Sequence, residues 1–233
     1  MTTLFGVDCA TVPRKTGLAL GELSGEIVRI TKCRTASAKE PPAVIAADWL
    51  STHERVIIAI DAPLGWPVGL RKGIGEHSAG DPLSVCADEM FRRATDLEIE
   101  ERLGKRPLEV GANLIARTAA AALGFLEELR NRTGREIPIA WDPDQEDAWR
   151  AIEVYPAATR IGHGAPDRGG SLNGLGRLLD CTGLPAKALK SKDAVDATVC
   201  ALAAADFLRG RSVAPVDVDT ARIEGWIWAP RAR

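Results

Sequence analysis

A chain of 233 residues, 45% hydrophobic and 27% charged, has the composition of an ordinary globular protein and room for one α/β domain with an embellishment. Its formal net charge of -2 excludes a broadly basic surface of the kind that coats nucleic acid, so any such partner must be gripped locally. The five cysteines, Cys9, Cys33, Cys86, Cys181 and Cys200, are widely spaced and form no CxxC pair. They suggest neither a zinc site nor a disulfide framework, and read as small buried residues in a reducing compartment.

In chain order, residues 4–9 form a compact apolar run, and 17–23 and 25–33 flank a tight Ser24-Gly25 turn, which predicts three strands with a hairpin between the second and third. Pro41 and Pro42 sit where a first helical turn tolerates them, ahead of an alanine-rich helix over 43–50. Residues 55–61 contain Val56-Ile57-Ile58-Ala59-Ile60, a continuous apolar run suited to a strand covered on both faces, and it stops at Asp61-Ala62-Pro63. The next strand is 151–155. Between them, 62–148 reads as a mostly helical insertion within a single domain spanning 1–233, its clearest element a helix over about 108–132. The head of the insertion, 62–81, is rich in Gly and Pro and holds His77; loops leaving a strand's carboxyl end commonly touch ligands. Ser191 is placed to cap a final alanine-rich helix running to Leu208, with Arg209 and Gly210 as stop signals. Trp226 and Trp228 are expected to close the core or an interface. No apolar run nears the roughly 20 residues that span a bilayer, and the N-terminus lacks the basic segment and apolar stretch of a secretory leader. A cytoplasmic protein without membrane contact is expected.

The chemistry lies in carboxylates. Asp8 and Asp61 each end an apolar strand, where ligands gather in α/β sheets; taken singly, each also suits a turn or a helix cap. Asp193 and Asp196 share one helical face with Cys200 and Ala203, a small-residue packing surface into which a carboxylate points only if paired or metal-bound. Asp193 also suits the positive end of the helix dipole. Glu153, between Ile152 and Val154, faces away from those neighbours and is a secondary metal candidate or a solvated residue. Converging carboxylates need compensation, because two unit charges ~4 Å apart repel by ~4 kcal/mol at an effective dielectric of 20. Mg²⁺ or Mn²⁺ suits an all-carboxylate set better than zinc does, with only three histidines in the chain.

Four segments in order, Phe5-Gly6-Val7-Asp8-Cys9-Ala10, Ile60-Asp61-Ala62-Pro63-Leu64-Gly65, Glu153-Val154-Tyr155-Pro156-Ala157 and Lys192-Asp193-Ala194-Val195-Asp196-Ala197, resemble the signature blocks of the domain of unknown function 429 family. Glu224-Gly225-Trp226-Ile227-Trp228 resembles its closing segment. The family's members are described as predicted nucleases of RNase H-like fold. The resemblance implies a mixed sheet flanked by helices, its first three strands antiparallel and later strands parallel. It matches Asp8 to the first-strand aspartate, Asp61 to the acid ending the fourth strand, and Asp193 with Asp196 to the acidic pair on the last helix, an arrangement closer to Holliday-junction resolvases than to ribonuclease H. Two departures stand out. Ribonuclease H carries a glutamate on its first helix, where this chain offers only Asp48, and resolvases carry a glutamate where Asp61 stands, so strict two-metal chemistry does not follow. Arg92-Arg93-Ala94-Thr95-Asp96 resembles a further family block and, with His77, supplies candidate phosphate contacts; the same residues also suit an exposed charged surface.

The leading expectation is a metal-dependent nuclease or phosphodiesterase acting on nucleic acid or a nucleotide-like substrate. Asp8, Asp61, Asp193 and Asp196 are its catalytic and metal residues, with Glu153 as a further ligand. An actin-like phosphotransferase or nucleotide-binding protein is the alternative from fold kinship, and needs a second domain that only a homodimer would supply. A noncatalytic binding protein that keeps the fold is the third.

Overall fold

The computed structural model describes residues 2–75, 77–111 and 113–231. β1 (Thr3–Asp8) pairs antiparallel with β2 (Gly17–Ser24), which pairs antiparallel with β3 (Ile27–Thr35). α1 (Pro42–Leu50) crosses over to β4 (Val56–Asp61), parallel to β1. β5 (Trp149–Glu153) adds in parallel beyond β4, and the two-residue β6 (Leu179–Asp180) adds in parallel outside β3. The sheet order is therefore β5-β4-β1-β2-β3-β6. This is the mixed arrangement expected: a meander of three antiparallel strands, then parallel strands.

Strand alternation splits the core in two. Leu4, Ala19, Val28, Ile57, Ala59 and Ile152 face α7 (Lys192–Leu208), while Phe5, Val7, Leu18, Ile58, Ile60 and Ala151 face α1 and α5 (Asn113–Thr133). β4 contributes to both faces, so its unbroken apolar run is explained by burial on two sides. Each fully buried Leu, Ile, Val or Phe contributes roughly 1.5–3 kcal/mol. α7 is the central helix, buried from Ala194 through Phe207. Its small residues let it lie against the strands with almost no gap. A Cβ on Gly6 would collide with the Ala197 carbonyl, and one on Gly17 with the Asp193 carbonyl. Trp226 and Trp228 are buried core residues, and the Trp228 ring meets Phe207 edge-on at 4.7 Å.

Several elements depart from the sequence reading. The hairpin turn falls one residue later, on Gly25-Glu26, with Gly25 at φ +59°, a conformation glycine adopts without strain. β5 runs 149–153 rather than 151–155, because Pro156 opens α6 (Pro156–Gly162) and ends the ladder. The long helix begins at 113, not 108. Ser191 stands at the N-cap of α7, yet its hydroxyl lies 3.4 Å from Asp193 Oδ2 and makes no cap bond to the helix backbone. Between β4 and β5 also lie α2 (Val68–Ile74), α3 (Ala87–Phe91) and α4 (Ala94–Leu103), and α8 (Val218–Glu224) follows α7. All five cysteines are free thiols, but only Cys33 and Cys200 are buried; Cys86, in the loop ahead of α3, is exposed. Among the described residues, no helix is long and apolar enough to cross a membrane.

Candidate carboxylate site

β1 and β4 run parallel and in register, with Asp8 opposite Asp61 as the last pair of the ladder. Two residues in register on neighbouring strands point to the same face. That face is the one covered by α7, because Gly6 and Ala59, two positions earlier, lie against it. On its other side Asp8 pairs with Gly17, whose missing side chain admits the Asp193 carbonyl. The glycines thus bring the first turns of α7, with Asp193 and Asp196, down onto the strand ends that carry Asp8 and Asp61.

The electrostatics record the crowding. Burial, then Asp61, Asp196 and Asp193, push the Asp8 carboxyl up to about 9, against a lowering by Lys192. Burial, then Asp196 and Glu153, raise Asp61 to about 7, opposed by Arg160 and Lys192. Near neutral pH the pair therefore retains a proton. A divalent cation held there would replace that proton with two charges, and hard oxygen donors suit Mg²⁺ or Mn²⁺. The donor chemistry of Asp8 and Asp61 fits such an ion. Among the described residues, no three His, Cys, Asp or Glu side chains are already gathered as a ligand set.

Asp196 has a buried partner that its sequence neighbourhood does not show. Buried Arg160 on α6 donates from Nη2 to Asp196 Oδ1, which also accepts from the Gly170 amide at 2.9 Å, while Arg160 Nε donates to the Ser171 carbonyl at 3.2 Å. Asp193, in the first turn of α7, is partly exposed. The one available signal for Arg160 was a lone basic residue in the small, apolar segment that follows the Glu153-Val154-Tyr155-Pro156-Ala157 block.

Glu153 does face away from Ile152 and Val154, but it is buried rather than solvated, and it lines the same cavity as Asp8 and Asp61, close enough to help raise Asp61. It is buried against Arg93: Oε1 lies 2.8 Å from Nη2, and Oε2 accepts from Nη1 at 3.0 Å and from the Leu64 amide at 2.9 Å. Burial raises the Glu153 pKa and Arg93 opposes the rise. Arg93 in turn grips Asp96, through Nη2 to Oδ1 at 2.9 Å and Nε to Oδ2 at 3.2 Å, and donates to the Glu224 carbonyl at 3.1 Å. Burial opposes the charge on Arg93, yet Glu153 and Asp96 raise its pKa overall. The Glu224 carboxylate accepts from the Val68 amide at 2.8 Å and the Ala94 amide at 2.7 Å, holding the first residues of α2 and α4. Arg93 and Asp96, expected as substrate contacts, are thus spent on clamping the inserted helices to the sheet. Arg92 is paired with Glu100. His77 lies in an exposed loop with Nε2 3.0 Å from the Asp81 carbonyl oxygen. Asp48 is exposed on α1, across the sheet from α7.

Beside Asp8 and Asp61 opens a cavity of about 230 Å³, walled by the residues after β4 and β5, by Pro107 and Leu108, and by α5. The fold and this edge define an α/β protein with an aspartate cluster where parallel strands end beneath a small-residue helix. The chain belongs to the family described as protein of unknown function (DUF429), whose model matches residues 6–220. That span contains all four aspartates and Arg160. No curated protein and no solved structure matches the chain.

Proposed function

We propose that the protein is a metal-dependent phosphodiester hydrolase, a nuclease or phosphodiesterase for nucleic acid or a nucleotide-like substrate. The supporting observation is the in-register pair Asp8 and Asp61 beneath Asp193 and Asp196, with both strand carboxyls raised by burial and by neighbouring carboxylates. Groups shifted in this way cluster at functional sites, and the carboxyl ends of parallel strands are where ligands bind in α/β sheets. Asp8 and Asp61 would hold Mg²⁺ or Mn²⁺, which supplies an activated water and neutralises charge on the phosphoryl oxygens. Arg160 fixes the orientation of Asp196. Asp193, partly exposed in the first turn of α7, is the carboxylate open to accept a proton from the attacking water. The Arg93 clamp keeps the loop after β4 and the start of α4 closed around the edge.

The test is thermal stability and hydrolysis of bis(p-nitrophenyl) phosphate with and without Mn²⁺ or Mg²⁺, for the parent, Asp8→Asn and Asp61→Asn. A metal-dependent rise in melting temperature, with hydrolysis that falls at least ~100-fold in both variants, is expected. No metal response and no turnover by the parent would sink the reading.

A further inference from the structure

Resting on that reading, we propose that the cavity beside Asp8 and Asp61 receives one nucleobase, so that the substrate is a single unpaired nucleotide, either free or at the end of a strand. The cavity borders both strand aspartates but not Asp193 or Asp196, so the cluster has an acidic side under α7 and a second side opening into the cavity. That second side is mostly apolar, with Pro63, Leu108, Ile115, Val154, Tyr155 and Ile227 among its walls. Arg93 also borders it, but its donors are engaged by Asp96, Glu153 and the Glu224 carbonyl, which leaves no cation for a phosphate among the described residues that line the cavity.

An apolar recess next to a carboxylate pair selects a ligand with one flat organic end and one oxygen-rich anionic end. Size narrows the class. A cavity of ~150 Å³ accepts one benzene ring, and drug-sized ligands use roughly 300–1,000 Å³. About 230 Å³ therefore suits a single ring system and its sugar edge. A paired base would first have to leave its stack at a cost of a few kcal/mol, and a net charge of -2 gives little overall attraction for the many phosphates of a duplex.

The experiment compares two p-nitrophenyl phosphodiesters in Mn²⁺, the ester of thymidine 5′-monophosphate and the methyl ester, beside calorimetric binding of thymidine 5′-monophosphate, a single-stranded oligothymidylate and a blunt duplex. The parent should prefer the thymidine ester by at least ~10-fold in kcat/KM and bind the mononucleotide. Ile115→Trp, which fills the cavity from a partly exposed position on α5, should remove both effects while keeping methyl-ester hydrolysis and the metal-induced rise in melting temperature. Leu108→Trp, at a side chain already largely exposed on the cavity rim, repeats the test should Ile115→Trp not fold. Tighter binding of oligothymidylate than of the mononucleotide assigns the nucleotide to a strand end; the reverse assigns it to a free nucleotide. Methyl-ester turnover with no thymidine preference, or duplex binding that exceeds both and ignores the tryptophans, overturns the inference and leaves the hydrolase standing. Mononucleotide binding lost in the tryptophan variants, with no turnover of either ester, upholds the inference and removes the hydrolase.

Discussion

Asp8 sits where its own charge is least welcome, and this makes its removal informative. In metal-free protein at pH 8, Asp8→Asn removes the carboxyl that burial, Asp61, Asp196 and Asp193 make costly to ionise, and leaves a neutral group of the same shape. The variant should be more stable than the parent by on the order of 1 kcal/mol, a rise of ~2–4 °C in melting temperature for a chain of this size. Arg160→Met should act in the opposite sense. It strands Asp196 in a buried site, so urea unfolding should show a loss of roughly 3–5 kcal/mol, much of it recovered when Asp196→Leu is added. These residues differ in how far the sequence exposes them. Asp8 and Asp61 are visible because each stops an apolar run. Arg160 is hidden because its partner lies on α7, and nothing local marks the pairing. Glu153 shows the intermediate case: alternation gives its direction, but its environment is set by Arg93, brought over it by the inserted helices.

α7 lies so close on β1 and β2 that two glycines determine its height above the sheet. Gly17→Ala introduces a Cβ into the Asp193 carbonyl, and no flexible side chain is there to give way. Overpacking of this kind costs typically 1–3 kcal/mol, and the displacement would fall on the turn that carries Asp193 and Asp196. Denaturant unfolding should register the loss. Metal-induced stabilisation should fall by a larger fraction than the overall stability does, because the helix is lifted at its site end. The alanine-rich segment of α7 and the apolar runs of β1 and β4 are long and periodic enough to be read directly. β6 has two residues and pairs through only Val28 and Arg29, so it carries no period. α6 and α8 span seven residues each, and their ends are set by Pro156 and by the Asp217 side chain accepting from the Thr220 amide.

Across the whole molecule, the site aspartates and the surface carboxylates titrate in separate ranges, and this separation gives the stability of the metal-free protein a definite pH dependence. Asp8 and Asp61 have folded-state pKa values of about 9 and about 7, above the ordinary 3.8 of an unfolded aspartate. The folded state therefore holds their protons more tightly, and the stability they contribute is fully present below about pH 4 and lost as pH rises through 7 and 9. Glu26, Glu40, Asp180 and Asp217 are lowered by their hydrogen bonds, chiefly to Arg211, Arg34, Thr182 and Thr220 respectively, so their contribution is lost only as pH falls below the ordinary carboxylate range. Between pH 5 and pH 9 the site aspartates dominate, and the melting temperature of metal-free protein should decline across that window. Saturating Mg²⁺ should flatten the decline, because deprotonation then creates the ligands instead of bare repulsion. Asp8→Asn should flatten it without metal. A melting temperature that rises from pH 5 to pH 9 in chelator would show that Asp8 and Asp61 do not share a crowded, desolvated edge, and the case for a cation there would lose its electrostatic basis.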